Sequence, residues 1–176
     1  SIHPDVLVTH NYPQDFKQTS WTFDVILTDV PCSGEGLFRK DEYAVKEGSL
    51  ANVSFCQKRQ RKILKDIWPC LRAGGLLIYS TCTFNTKEDE ENVRFIIEEL
   101  GAEILPVPIK PEWNITGSLL NGWNYPVYRF IPGFTQSEGL FMAVLRKKGE
   151  HTGPTVLPSS ARRYAQGNKL IHLLSD

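Results

Sequence analysis

The sequence predicts an α/β chain in which a mostly parallel sheet carries helices on its faces. Three observations lead there. Short runs of Val, Ile and Leu recur at strand length, and longer segments between them repeat apolar residues at helical spacing. The order is strand, helix, strand, helix, strand, which is how parallel strands are joined. The central strands are also apolar without alternation, as strands covered on both faces are.

Taken in order, Val6–His10 (VLVTH) reads as an isolated strand before a loop. Phe23–Val30 (FDVILTDV) is the first central strand, ended by Pro31. Phe55–Leu71 places apolar residues at 56, 63, 64, 67, 68 and 71, a helical stripe opposite basic residues. Pro69 weakens its last turn and Gly74 is read as its stop. Leu76–Ser80 (LLIYS) is the second central strand. Asn85–Leu100 follows as a helix, with Asn85 at the N-cap, Glu88 three residues on, acids in the first turn, and Val93, Ile96, Ile97 and Leu100 as its buried stripe. Ala102–Val107 is a third strand, and Tyr128–Ile131 and Leu140–Arg146 are two late paired strands. The segment 148–176, with Pro154, Pro158, Ser159 and Ser160, reads as a linker or tail after a body spanning 1–147.

The chain has 176 residues, 41% of them hydrophobic and 23% charged, which fits a globular domain and not a disordered segment. No apolar run reaches the roughly 20 residues of a membrane helix, and residues 1–15 lack a signal-peptide core. The formal net charge is +0, so no polyanion partner follows from the total. The distribution is uneven: Arg39 to Arg72 holds nine bases against four acids, and Lys87 to Glu103 seven acids against two bases. Solvated helix faces account for both runs, and contact of the basic run with a polyanion is the competing reading.

Four cysteines lie at 32, 56, 70 and 82 without a Cys-x-x-Cys pair, and the histidines sit near the ends, so no metal site is expected. Cys56 and Cys70 fall on the helix and read as small buried hydrophobes. Cys32 and Cys82 each follow a central strand. Strands joined by a helical crossover are parallel and usually neighbours, so both thiols should reach one edge of the sheet. That edge, beyond the carboxyl ends of the strands, is where open α/β sheets bind ligands. Asp29 stands beside them.

Asp29-Val30-Pro31-Cys32-Ser33-Gly34-Glu35-Gly36, Arg39-Lys40 and Tyr79-Ser80-Thr81-Cys82-Thr83 together resemble the Sun (NOL/NOP/Sun-type) family of RNA cytosine-5 methyltransferases. Arg129-Phe130-Ile131-Pro132 and Glu138-Gly139-Leu140-Phe141-Met142-Ala143-Val144-Leu145 extend the likeness, which covers about residues 5–147. The resemblance implies a Rossmann-like methyltransferase fold, S-adenosylmethionine as donor and a cytosine in rRNA or tRNA as acceptor. By similarity Cys82 is the nucleophile, and Cys32 assists removal of the carbon-5 proton or expulsion of Cys82. Asp29 either binds the cytosine edge or faces the methionine end of the donor, beside Pro31. Arg39 and Lys40 would meet RNA phosphates, with solvated surface as the alternative. Trp113, Trp123, Tyr125 and Tyr128 either stack bases or pack the late loop.

The family's glycine-rich donor turn and the acidic residue after its second strand are not found ahead of Asp29. Tyr12 stands near the position of its adenine-reading Asp, and Gly133 where a His often follows the late Pro. The expectation is therefore the carboxy-terminal part of a longer cytoplasmic methyltransferase with its first strands missing. Such a sheet exposes an edge that invites homodimer pairing. The competing functions are a non-catalytic RNA-binding or assembly fragment and a thiol redox protein using Cys32 and Cys82.

Overall fold

A computed structural model describes residues 6–34 and 50–150 of the chain. Its elements are α1 (Pro13–Lys17), β1 (Phe23–Asp29), α2 (Leu50–Ile67), β2 (Leu71–Thr81), α3 (Glu90–Glu98), β3 (Ala102–Leu105), β4 (Tyr128–Phe130) and β5 (Leu140–Lys147). The strands form one sheet in the order β1-β2-β5-β3, with β4 also paired to β5. β1 and β2 are parallel, and β5 runs antiparallel to β2, β3 and β4. All strands except β5 therefore point one way, which is the expected mostly parallel sheet with a late antiparallel strand. β4 meets β5 at Leu140–Met142 and β3 meets it at Val144–Lys147, so two short strands share one side of β5.

One sheet face carries Ile26, Leu77, Tyr79, Phe141, Ala143 and Leu145, buried together with Leu64 and Ile67 of α2 and Val93 and Ile96 of α3. Removing this apolar area from water is the main stabilising term, at roughly 25 cal/mol per Å². Val25, Leu27, Leu76, Ile78, Met142 and Val144 occupy the alternate positions and keep part of their surface exposed. Among the described residues β1 pairs only with β2, so its other side is an open edge. Val6–His10 is irregular rather than a strand, and Val6, Leu7 and Val8 are exposed. A strand needs a partner, and none of the described strands pairs with this one.

Three boundaries differ from the sequence reading for local reasons. Helix α2 stops at Ile67 because Pro69 cannot donate a backbone hydrogen bond, and Trp68–Cys70 tightens into a 3-10 turn. Gly74 then lies inside β2, at φ +77°, not at a helix end. β1 and β2 pair at Phe23↔Leu71 and again at Val25↔Leu76, so β2 bulges here by three extra residues. Third, α3 begins at Glu90, although Asn85 and Glu88 do exchange hydrogen bonds: Glu88 N–H donates to Asn85 Oδ1 (2.9 Å) and Asn85 Nδ2 to Glu88 Oε1 (2.8 Å). That reciprocal pair closes a turn one step before the helix.

Candidate active site at the carboxyl end of β1 and β2

The parallel ladder continues past β1, with Val30 N–H donating to the Ser80 carbonyl at 3.2 Å. Cys32 lies two residues beyond Val30, and Cys82 two beyond Ser80. With the two strand ends held side by side, the short segments that follow bring the two side chains together. Cys32 Sγ and Cys82 Sγ are 2.6 Å apart, both half-buried.

Their acidities diverge. The hydrogen bond to Cys82 and burial push the Cys32 thiol well above its ordinary value. The Cys82 thiol is lowered, chiefly because it accepts the hydrogen bond from Cys32, with burial and the Asp29 carboxylate opposing. One sulfur keeps its proton and donates, while the other is eased toward the thiolate, the form that attacks carbon. Asp29 is exposed at the end of β1, in register with Ser80, whose hydroxyl donates to Asp29 Oδ1 (3.4 Å) and to the Thr28 carbonyl (3.1 Å). Pro31 is half-buried between Asp29 and Cys32. The structure thus gathers Asp29, Pro31, Cys32 and Cys82 at one sheet edge. Arg39 and Lys40 lie outside the described residues.

The acidic run holds what sequence reasoning missed. Glu88, Asp89 and Glu90 are fully buried, not a solvated helix face. Glu88 Oε2 accepts from Ser33 N–H (3.1 Å) and Gln60 Nε2 (2.6 Å). Gln60 also donates to the Pro31 carbonyl (3.0 Å) and accepts from Asn92 (2.7 Å). Tyr79 Oη donates to the Glu88 carbonyl (2.6 Å). Glu90 pairs with buried Arg129 at 2.6 Å. Asp89 accepts from the Thr81 and Thr83 hydroxyls (2.6 and 3.1 Å) and lies 2.9 Å from Arg129 Nη1. The Asn85–Glu88 spacing was a usable signal for a turn, but nothing in it says that the carboxylate turns inward.

The basic run of α2 lies on a solvated helix face, with Lys58, Arg59, Lys62 and Lys65 exposed and Arg61 half-buried. Arg61 donates to Asn92 Oδ1 (2.8 Å) and sits with Lys65 over the Phe95 ring, while Lys62 pairs with Asp66. Of the four late aromatics, Trp123 and Tyr128 are buried, and Trp113 and Tyr125 are exposed. Trp113 and Tyr128 line a cavity of about 680 Å³ with Phe134 and Met142. Tyr12 is exposed at the N-cap of α1. Among the described residues no helix is long and apolar enough to cross a membrane.

Two facing thiols at the carboxyl edge of a largely parallel α/β sheet mark a Rossmann-like protein with a candidate thiol centre. Comparison with known proteins supplies the family. The sequence model of the 16S rRNA methyltransferase RsmB/F family matches residues 4–146. The chain belongs to this family, the Sun-type group that its motifs resemble.

Ribosomal RNA small subunit methyltransferase F of Aliivibrio fischeri is 33% identical over 135 residues, covering 77% of this chain and 28% of that protein. The protein of that name in Shigella flexneri serotype 5b is 37% identical over 130 residues, covering 71% and 26%. Among solved structures, NSun6 from Pyrococcus horikoshii with SFG superposes at a TM-score of 0.66 and 30% identity, covering 81% of this chain and 34% of that one. A methyltransferase homolog protein from the same organism gives 0.66 and 26%, covering 81% and 45%. The chain thus spans just over a quarter of the length of the curated relatives it matches.

Proposed function

We propose that this chain carries the two-thiol centre of an S-adenosylmethionine-dependent methyltransferase acting on carbon 5 of cytosine in RNA. The observation that carries the reading is the 2.6 Å approach of a thiol kept protonated, Cys32, to one eased toward the thiolate, Cys82. Carbon 5 of cytosine is a poor nucleophile. A Cys82 sulfur–carbon-6 bond moves the ring's double-bond electrons toward carbon 5 and makes it an enamine carbon.

Once Cys82 is bonded to carbon 6 its negative charge is gone, and with it the partner that held the Cys32 proton. Cys32, half-buried at the open edge, then passes that proton to solvent water and, as the thiolate, is placed to take the carbon-5 proton as the base. Its re-protonated thiol stabilises the Cys82 thiolate as it is expelled. Asp29, open at the same edge, receives the ring nitrogen and amino edge of the cytosine. The target base must leave its stack to reach this edge, so single-stranded or flipped-out RNA is the substrate form. The relatives' names favour ribosomal over transfer RNA. Arg39 and Lys40 are the proposed phosphate contacts.

When bound, the donor supplies the methyl group. Asp29 and Pro31 fit the wall at its methionine end, and the described residues offer no glycine-rich turn for its other end. The reducing cytoplasm suits four unpaired thiols. The open edge of β1 favours pairing with a second copy of the chain, which sedimentation measurements of mass at micromolar concentration test: a monomer throughout removes that part of the reading.

RNA bearing 5-fluorocytosine tests the chemistry, because fluorine at carbon 5 cannot be removed as a proton. With S-adenosylmethionine the full-length protein should leave a covalent protein–RNA adduct that Cys82→Ala abolishes. Adduct formation by Cys82→Ser but not by Cys32→Ala would exchange the two roles. No adduct with any RNA, by protein that binds RNA, would favour a non-catalytic RNA-binding module.

A further inference from the structure

Pro31–Gly34 forms no regular element, yet Cys32 within it is held against Cys82. The two residues flanking Cys32 are each anchored: the Pro31 carbonyl accepts from Gln60 Nε2, and Ser33 N–H donates to Glu88 Oε2. Gln60 and Glu88 are themselves joined at 2.6 Å, so a single polar pair grips both sides of the cysteine. Glu88 is in turn fixed from the Cys82 side. Asn85, three residues past Cys82, exchanges two hydrogen bonds with it, and Tyr79 of β2 holds its carbonyl.

We infer that Glu88 is the positioning residue of the two-thiol site: its carboxylate ties the loop carrying Cys32 to the strand end carrying Cys82. The consequence for methyl transfer rests on the function proposed above, but the tie itself does not. A carboxylate suits the task because all three side-chain contacts are donors, Ser33 N–H, Gln60 Nε2 and Asn85 Nδ2, and a carboxylate only accepts. Burying it costs free energy unless every such contact is made, so a residue needed only to fill space would be apolar.

The charge and the tie of Glu88 act on Cys82 in opposite directions, and that separates them. Its negative charge raises the Cys82 value, so losing the charge alone lowers the pH at which Cys82 ionises. Losing the tie lets Cys32 drift and removes the hydrogen bond that lowers Cys82, so the same midpoint rises. Glu88→Gln removes the charge but keeps one acceptor for Ser33 and Gln60. Glu88→Ala removes both.

The experiment measures two things on the whole chain, with circular dichroism confirming the fold: the pH midpoint of Cys82 alkylation by iodoacetamide, and affinity for phenylarsine oxide, which must be chelated by two adjacent thiols. The wild type should bind one arsenical, and Cys32→Ser should lose it. Glu88→Ala should weaken binding tenfold or more and raise the midpoint, whereas Glu88→Gln should bind within about threefold of wild type with a midpoint unchanged or lower. A folded Glu88→Ala with wild-type arsenical affinity and a lowered midpoint would overturn the inference. If Glu88→Ala does not fold, Gln60→Met, which releases Pro31 and one contact of Glu88, is expected to shift both readings in the same direction, and unchanged readings would overturn it. Dependence of the arsenical on Glu88 without any 5-fluorocytosine adduct would leave the tie standing and sink only the methyltransferase reading.

Discussion

Cys32 Sγ stands 2.6 Å from Cys82 Sγ, a contact that raises the pKa of one thiol and eases the other toward the thiolate, so Cys32 is assigned as the donor. The asymmetry has a direct readout. Cys82 should be alkylated with a pH midpoint below that of an ordinary thiol, near 8.5. Cys32→Ala removes the donor and leaves burial and Asp29 in place, both of which raise the Cys82 value. Its midpoint should therefore climb above the ordinary one. Peptide mapping of iodoacetamide-labelled protein across pH reads both, and a midpoint indifferent to residue 32 would refute the donor role of Cys32.

The same approach predicts a cross-link. A disulfide needs its sulfurs at about 2.05 Å, so only a small closure separates the resting pair from a bond. Diamide, taking one hydrogen from each thiol and becoming the hydrazine, should join Cys32 to Cys82 with loss of two hydrogens. Dithiothreitol should reverse it. Cys56 and Cys70 are buried and should stay reduced. Non-reducing mass spectrometry locates the bridge, and a Cys32→Ser chain that still forms an intramolecular disulfide at the same rate would show that another pair reacts.

Much of this site was legible in the sequence because strand pairing is a period-2, end-anchored arrangement. Two runs of Val, Ile and Leu joined by a helix fixed β1 beside β2, and each thiol sits two or three residues past the paired Asp29 and Ser80. What the sequence hid was orientation. Glu88, Asp89 and Glu90 look like the acids that any helix start attracts, and helix-start acids usually face water. They face inward because their partners come from far along the chain: Gln60 from α2, Ser33 from the β1 loop and Arg129 from β4. The Pro69 break was visible, but its consequence was not, because Gly74 serves both as a helix stop and as a strand bulge.

Among the described residues Arg129 is the one cation paired with Glu90 and Asp89, with its guanidinium also donating to the Phe84 carbonyl and resting over Phe141. Removing one partner of a buried ion pair leaves an uncompensated charge, at a cost of about 3–5 kcal/mol. Arg129→Met should lose that much in urea unfolding. Arg129→Lys should recover part of it, since an ammonium restores charge but not the two-pronged contact with Glu90. A loss under about 1 kcal/mol, the range of surface pairs, would mean that water reaches the cluster.

With one guanidinium between two buried acids, one carboxyl is in excess, and Asp89 is the one that suffers. Burial raises it well above its ordinary value, with Arg129 and the Thr81 hydroxyl opposing. Folding therefore favours the protonated form of Asp89. Its contribution is complete below the unfolded value, about 3.9, and is lost as pH climbs through the higher folded value. Asn at this position still accepts from Thr81 and Thr83 but does not titrate. The stability difference between wild type and Asp89→Asn should then favour the wild type most near pH 4 and shrink steadily toward about pH 8. Because every other group is shared, the difference isolates this carboxyl. Urea unfolding at intervals across that range measures it, and a difference that stays flat, or grows with pH, would show that Arg129 holds Asp89 ionised throughout.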